Sequence, residues 1–367
     1  MRVLIYNHTN ARAVDMQSVM ELFVKMGHEV FLFSQLPKGD LHTNVAKYGV
    51  KVFGSDRQKN NGFSSYLYNI RELRRFIKQY KIDIVFAHLQ GAGFVAGLVR
   101  KVLKFKFYYV RHNTDEHIIQ NNKNAKILNW LTNKVSNTII APSEKVYKYI
   151  TQIEKVPASR VIRINYGYNF NQYLETDRLG MAKDIRIQFE CRLLLLSVAR
   201  LVPAKRHLLM FETIKKLVCK GNDIKLICIS DGPFRPHLEK YINEEGLQER
   251  IYLIGAKKNV FDYLEAADAF FHLSETEASN SAVKEAGYCK RTAIVCSGVG
   301  DFDDYIQNGI NGYLLDKKNP VEGAVAVLEE MYNDPQKVKV MGDNLHNTIV
   351  TEFEINRVRD KYERLLN

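Results

Sequence analysis

Glu277 and Glu285 stand eight positions apart in Ser274-Glu275-Thr276-Glu277-Ala278-Ser279-Asn280-Ser281-Ala282-Val283-Lys284-Glu285. The stretch follows an apolar run, Ala269-Phe270-Phe271-His272-Leu273, that reads as a buried strand. The predicted order is strand, polar loop, helix start near Ser281. A helix start carries backbone N–H groups without intrahelical partners, and these suit phosphate and sugar hydroxyls. One carboxylate sits before that start and the other about two turns into the helix, so both can face one ligand. Upstream, the strand-like run Leu193-Leu194-Leu195-Leu196-Ser197-Val198-Ala199 ends in Arg200-Leu201-Val202-Pro203-Ala204-Lys205-Arg206. Open α/β sheets bind ligands at such strand ends. Arg200 as a fork and Lys205 as a point charge can hold a diphosphate there.

These residues need a scaffold of buried strands, and the chain supplies a regular one. Strands are expected at Arg2–Tyr6, Glu29–Ser34, Ile82–Ala87, Phe105–Val110, Thr138–Ala141 and Val161–Ile164. A second set is expected at Leu193–Val198, Lys225–Ile229, Ile251–Ile254, Ala269–Leu273 and Ala293–Cys296. Helical patterns lie between them, including Met16–Met26, Phe94–Val102 and a stripe of Leu67, Ile70, Leu73 and Ile77. Strands alternating with helices imply α/β units with parallel sheets covered on both faces. Two such blocks imply two Rossmann-like domains, 1–170 and 171–351. The linker is placed near Tyr166–Leu179, which is polar, aromatic and not periodic.

Arg200 with Lys205, then Asp231-Gly232-Pro233, then Glu277 and Glu285, then Asn311-Gly312, resemble the C-terminal domain of retaining family-4 glycosyltransferases of the GT-B fold. Order and spacing match over about residues 193–316. The N-terminal half fits more loosely, through the opening strand, Ala87-His88, Arg111-His112 and Ala141-Pro142-Ser143. The resemblance implies two Rossmann-like domains facing each other across a cleft. It also implies a last helix, about 352–367, that packs back on the first domain.

The resemblance assigns roles residue by residue. Glu285 would bind the ribose hydroxyls of the donor, since a carboxylate accepts two hydrogen bonds from a diol. Glu277 would contact the transferred sugar, and Arg200 and Lys205 would hold the diphosphate. Ser279, Asn280, Ser281 and Ala282 would present backbone amides, and Gly255 would begin the loop that passes the nucleobase. His88 would touch the donor sugar. Asn10, Arg12 and His112 would lie on the acceptor side. Each has a plainer alternative. Ser274-x-x-Glu277 has the form of a capping box, Glu285 can be a solvated helical residue, and Arg200 and Lys205 can be surface charges. Glu275 competes with Glu277 if the register slips. Asp231-Gly232-Pro233 reads first as a turn. The family usually has Gly-Phe-Gly where this chain has Ala278-Ser279-Asn280, and a Gly where it has Arg206.

Composition narrows the class. The 367 residues carry 53 Lys and Arg against 41 Asp and Glu, a net charge of +12. The excess is confined to residues 1–180, where cations lead by 14, while residues 181–367 fall short by 2. One half therefore faces an anionic partner: membrane surface, nucleic acid or acidic glycan. Arg71, Arg74, Arg75 and Lys78 lie largely opposite the stripe of the Leu67–Ile77 helix. Arg100-Lys101-Val102-Leu103-Lys104-Phe105-Lys106 mixes cations with apolar residues. No compact basic-aromatic motif for nucleic acid occurs, so none is expected as a partner. No apolar run reaches the ~20 residues of a membrane span, and Met1–Asn10 lacks a signal-peptide core. Cys191, Cys219, Cys228, Cys289 and Cys296 lack metal-ligand spacing and read as buried, reduced thiols of a cytoplasmic protein, peripheral to the inner membrane face.

The expected activity is a retaining, metal-independent hexosyl transfer. The donor is a nucleotide-diphosphate sugar of UDP or GDP type, and no cofactor or metal is required. The acceptor is a hydroxyl of a glycan or lipid-linked molecule in cell-surface glycan or glycolipid assembly. A nucleotide-sugar epimerase of the same architecture, or a basic nucleic-acid or glycan binder, is the alternative.

Overall fold

The computed structural model describes residues 1–11, 13–56, 63–112, 123–171, 174, 178–277 and 279–366. They form two compact units, Met1–Tyr168 with Ile355–Asn367, and Asn169–Glu354.

The first unit runs β1 (Arg2–Asn7), α1 (Val14–Lys25), β2 (Glu29–Ser34), α2 (Asp40–Ala46), β3 (Lys51–Gly54), α3 (Phe63–Tyr80), β4 (Ile84–His88), α4 (Gln90–Arg100), β5 (Lys106–Val110), α5 (Lys123–Val135), β6 (Thr138–Ala141), α6 (Glu144–Lys148) and β7 (Val161–Arg163). Among the described residues its sheet has the order β3-β2-β1-β4-β5-β6-β7, and every pairing is parallel. Both faces are buried, which is why its strands read as continuous apolar runs. In β1, Leu4 and Tyr6 join one cluster with Leu73 and Val95, while Val3 and Ile5 join the other with Met20 and Phe23. This is the two-residue alternation of a strand.

The second unit runs α7 (Ala182–Gln188), β8 (Leu193–Val198), α8 (His207–Cys219), β9 (Ile224–Ile229), α9 (Arg235–Glu244), β10 (Ile251–Leu253), α10 (Val260–Ala266), β11 (Ala269–His272), α11 (Ser281–Tyr288), β12 (Thr292–Cys296), α12 (Phe302–Tyr305), β13 (Gly312–Leu315), α13 (Pro320–Asn333) and α14 (Pro335–Phe353). Its parallel sheet has the order β10-β9-β8-β11-β12-β13 among the described residues. The order reverses between β8 and β11. That neighbouring pair is where open sheets of this kind bind ligands.

The terminal helix α15 (Ile355–Leu366) belongs to the first unit. Glu354 breaks it from α14 with an extended ψ of 138°, so the single helix expected from Glu352 is two. Tyr362 is 5% exposed and stands edge-on to Phe23 at 5.4 Å and to Phe86 at 6.2 Å. Tyr108 donates its hydroxyl to Leu365 O at 2.7 Å. Gly167 lies so close to this helix that a Cβ there would meet Val358 at 2.5 Å.

Several sequence expectations need correction. Leu67 is 56% exposed, because six residues to Leu73 turn a helix by about 600°, leaving Leu67 about 120° off the buried face. The stripe is carried by Leu73, Phe76 and Ile77 instead. The strand expected from Ile82 begins at Ile84, since Lys81 at φ 48° holds a turn. The short elements α2, β3 and β13 and the helix α5 were not anticipated. Cys219 is exposed, unlike the other four cysteines. Among the described residues no helix is long and apolar enough to cross a membrane.

Deleting the Tyr362 ring leaves a cavity under α15. Tyr362→Ala should destabilise the first unit by about 3 kcal/mol, measured by urea unfolding. A loss under about 1 kcal/mol would show that α15 does not anchor there.

Candidate active site

In the second unit, the ends of β8 and β11 bring Lys205 and Glu277 together. Lys205 Nζ donates to Glu277 Oε1 at 2.6 Å, and His272 Nε2 lies 2.7 Å from the same oxygen. The Glu277 side chain is 10% exposed and His272 is fully buried. Burial alone would raise the Glu277 carboxyl, but His272 and then Lys205 outweigh it and hold the pKa down at about 2. A carboxylate only accepts, so the Nε2 proton of His272 points at Glu277. The other oxygen, Oε2, has no partner among the described residues and is the one offered to a ligand.

The loop geometry explains why these two residues meet. Pro203–Lys205 forms a short 3-10 turn ending at Arg206, whose φ is 53°. That left-handed conformation is the one glycine adopts freely, which accounts for the Gly that relatives of this type carry there. Here Arg206 holds it by donating to Lys317 O at 2.8 Å and to Glu275 Oε1 at 2.9 Å. Glu275 N–H closes the loops by donating to Ala204 O at 2.8 Å. Glu275 is therefore the structural partner of Arg206, and Glu277 that of Lys205. Arg200 is exposed at the end of β8, and its side chain has no ion-pair or hydrogen-bond partner among the described residues.

The capping-box reading of Ser274 and Glu277 does not hold. The N-cap of α11 is Asn280, whose Oδ1 accepts from Val283 N–H at 3.1 Å. The first-turn amides of Ser281 and Ala282 remain available, as geometry requires of a helix start. Asn280 has a φ of −88°, so that position makes no demand for glycine; Ala278 lies outside the described residues. Ser279 instead donates its hydroxyl to Asp301 Oδ2 at 2.6 Å. Lys284 donates to Asp301 Oδ2 at 2.8 Å and to Ser279 Oγ at 2.9 Å. Lys284 and Asp301 are both buried, and the ammonium also lies 4.8 Å from the ring centres of Tyr305 and Phe353. Glu285 is half-buried in the second turn of α11. Gly255 has φ 72° and its carbonyl accepts from Ser230 N–H at 2.9 Å. Gly232 packs so tightly on the Arg200 loop that a Cβ would meet Leu201 O at 2.3 Å.

His272, Lys284 and Asp301 escaped the sequence reading. The first two left faint signals, a histidine inside an apolar strand and a lysine on the inner face of a helix. Asp301 left none. His207 is also buried, and burial, His272 and Lys205 push its pKa to about 4, so it is neutral at neutral pH.

In the first unit, His88 and His112 share one hydrogen-bond chain. His88 Nδ1 lies 2.9 Å from His112 Nε2, and the Tyr166 hydroxyl 2.5 Å from His112 Nδ1. Burial and then the neighbouring His112 hold His88 well below the ordinary histidine range. Burial also lowers His112, against the pull of Asp15. Asn10 ties its loop to the one after β2, donating to Pro37 O at 2.9 Å. Arg12 lies outside the described residues. Among the described residues no group of three or more His, Cys, Asp or Glu side chains is placed to hold a metal.

Two parallel α/β units are the architecture of the GT-B class. The Anabaena protein HepE, solved with UDP and glucose, superposes with a TM-score of 0.84 over 99% of this chain and 98% of its own, at 16% identity. The family model for glycosyl transferases group 1 matches residues 184–348, and that for glycosyltransferase family 4 matches residues 16–172. The chain carries both of these glycosyltransferase domains and is a glycosyltransferase. It is similar to the N-acetyl-alpha-D-glucosaminyl L-malate synthase of Bacillus anthracis, 22% identical over 92% of this chain and 89% of that protein. The alpha-monoglucosyldiacylglycerol synthase of Acholeplasma laidlawii is 23% identical over 87% and 84%.

The pH dependence of the Glu277 contact follows from its lowered pKa. Its stabilisation is fully present above the ordinary value of 4.5 and is lost as pH falls through about 2. The stability gap between wild type and Glu277→Gln should stay constant through the neutral range and shrink between about pH 4.5 and 2. Urea unfolding at fixed pH values measures it. A gap that closes near pH 6 would assign the control to a histidine instead.

Proposed function

We propose that this glycosyltransferase moves a hexosyl group from a nucleotide-diphosphate sugar to a hydroxyl of a glycan or glycolipid, with retention of the α-anomeric configuration. The observation that carries the reading is the Lys205–Glu277 pair at 2.6 Å, formed where two central strands end beside an exposed Arg200 that has no partner among the described residues. The names of the two curated relatives, both of which specify an alpha-linked sugar, and the neighbour solved with UDP-glucose support it.

In this reading Arg200, two remaining Lys205 protons and the Ser281 and Ala282 amides take the diphosphate. Glu285 takes the ribose diol. Oε2 of Glu277 accepts from a sugar hydroxyl. As an anion across the neutral range, Glu277 orients and does not donate a proton. The anomeric C–O bond to phosphate breaks and its electron pair goes to the leaving diphosphate. The acceptor oxygen attacks from the same face and its proton passes to the departing phosphate oxygen. Preorganised cations at the leaving group supply the electrostatic stabilisation. No metal is assigned a role. The basic face of the first unit, with Arg71, Arg74, Arg75, Lys78, Lys101 and Lys104 all exposed, is proposed to hold the protein at an anionic membrane surface beside a lipid-linked acceptor.

Arg200→Ala should lower turnover and weaken nucleoside-diphosphate binding together, by roughly 2–4 kcal/mol. Wild-type kinetics in the Arg200→Ala/Lys205→Ala protein would remove the diphosphate assignment. Glu285→Gln should weaken free nucleotide and sugar nucleotide alike, whereas Glu277→Gln should spare the free nucleotide, since it releases Lys205 for phosphate. Equal nucleotide loss in both variants would contradict these roles. Activity should also survive EDTA; abolition by EDTA and rescue by Mn²⁺ or Mg²⁺ would contradict the two-cation account.

A further inference from the structure

We propose that a cavity on the first unit, lined by none of the residues assigned above, is a binding site for the phosphate head group of an anionic membrane lipid. The inference rests on the membrane-facing reading of this unit and names the point of insertion. The cavity has a volume of about 430 Å³ and is lined by α5, the segment Tyr149–Ile153 and the turn that follows it.

Its charge selects an anion. Lys126, Lys134, Lys155 and Arg160 line it against a single carboxylate, Glu154. That carboxylate is already neutralised from behind, where the buried Arg111 guanidinium donates to it at 2.7 and 2.8 Å and Asn133 at 2.6 Å. Arg160 donates to backbone carbonyls at the end of α5 and meets no carboxylate among the described residues. The cations are therefore not cancelled within the cavity.

Its rim selects a lipid over a soluble phosphate. Trp130 is 58% exposed and Ile153 is 66% exposed. Lys134 Nζ lies 5.0 Å from the centre of the Trp130 ring. An exposed aromatic beside cations is the pattern of a side chain that sits at head-group level. Local backbone also marks the site. Tyr149–Ile153 is a π-helical turn, a form enriched at functional sites, and Lys155 holds a φ of 58°, a cost that surrounding structure must offset. The surface is continuous with the basic face, because α4 packs between α3 and α5.

Trp130 is the only tryptophan in the chain, so its fluorescence reports on this cavity without background. The full-length protein should show blue-shifted, brighter emission with phosphatidylglycerol vesicles and none of this with phosphatidylcholine vesicles. Each cation near anionic lipid is worth about fivefold in partitioning. Lys134→Gln with Lys155→Asn should therefore weaken binding about 25-fold; Asn tolerates the left-handed backbone at 155. Circular dichroism and nucleotide binding check that the variant is folded. Vesicle sedimentation with unchanged Trp130 emission would overturn the site while leaving the α3 docking surface standing. The same emission change with inorganic phosphate or glycerol phosphate alone would overturn the lipid assignment. Absence of sedimentation would remove the membrane reading and this site with it.

Discussion

The second unit's site depends on one shared oxygen. Glu277 Oε1 accepts from Lys205 Nζ and from His272 Nε2, and the three residues come from a loop, a strand and the loop beyond that strand. Placing a carboxylate in a site that is nearly closed is unfavourable unless it is paired and hydrogen-bonded. Two donors on one oxygen satisfy it and leave the second oxygen for a substrate. They also fix the ammonium of Lys205 beside the end of β8, where Arg200 is exposed. Loss of either donor would raise the carboxyl pKa and loosen the geometry of both loops.

A second buried pair braces the same region from the other side. Lys284 and Asp301, with the Ser279 hydroxyl between them, tie the start of α11 to the loop after β12. Such a pair contributes little net stability compared with an apolar pair, yet breaking it is costly because one charge is left unpaired. Its consequence here is positional. The amides of Ser281 and Ala282 follow a segment held by side-chain contacts, whereas relatives of this type use glycines there. This gives a physical reason for the Ala278-Ser279-Asn280 departure.

The central strands of both sheets were legible in the sequence because they are buried on two faces and read as apolar runs. The short peripheral pieces α2, β3 and β13 were not, since four to seven residues carry too little periodicity. Glu277 stood out because its order of strand, loop and helix start is local. Its partner was visible as a residue but not as a partner, because 72 positions separate Lys205 from Glu277. His272 was absorbed into the strand pattern, and Asp301 had no pattern to break. The His88–His112–Tyr166 chain joins two candidates and a residue placed in a linker, and only folding brings them into one line. Leu67 misled because a three-residue spacing drifts around a helix.

The central claim is that the cations Arg200 and Lys205, the latter paired with Glu277, hold a nucleoside diphosphate at the ends of β8 and β11. A thermal-shift comparison of UDP, GDP and ADP on wild type and on the Lys205→Ala protein tests it most directly, because a ligand that binds only the folded state raises the melting temperature. The account predicts that at least one of the three raises it in wild type, in a concentration-dependent way, and that Lys205→Ala abolishes most of the rise. No shift with any of them, or an equal shift in both proteins, would contradict it.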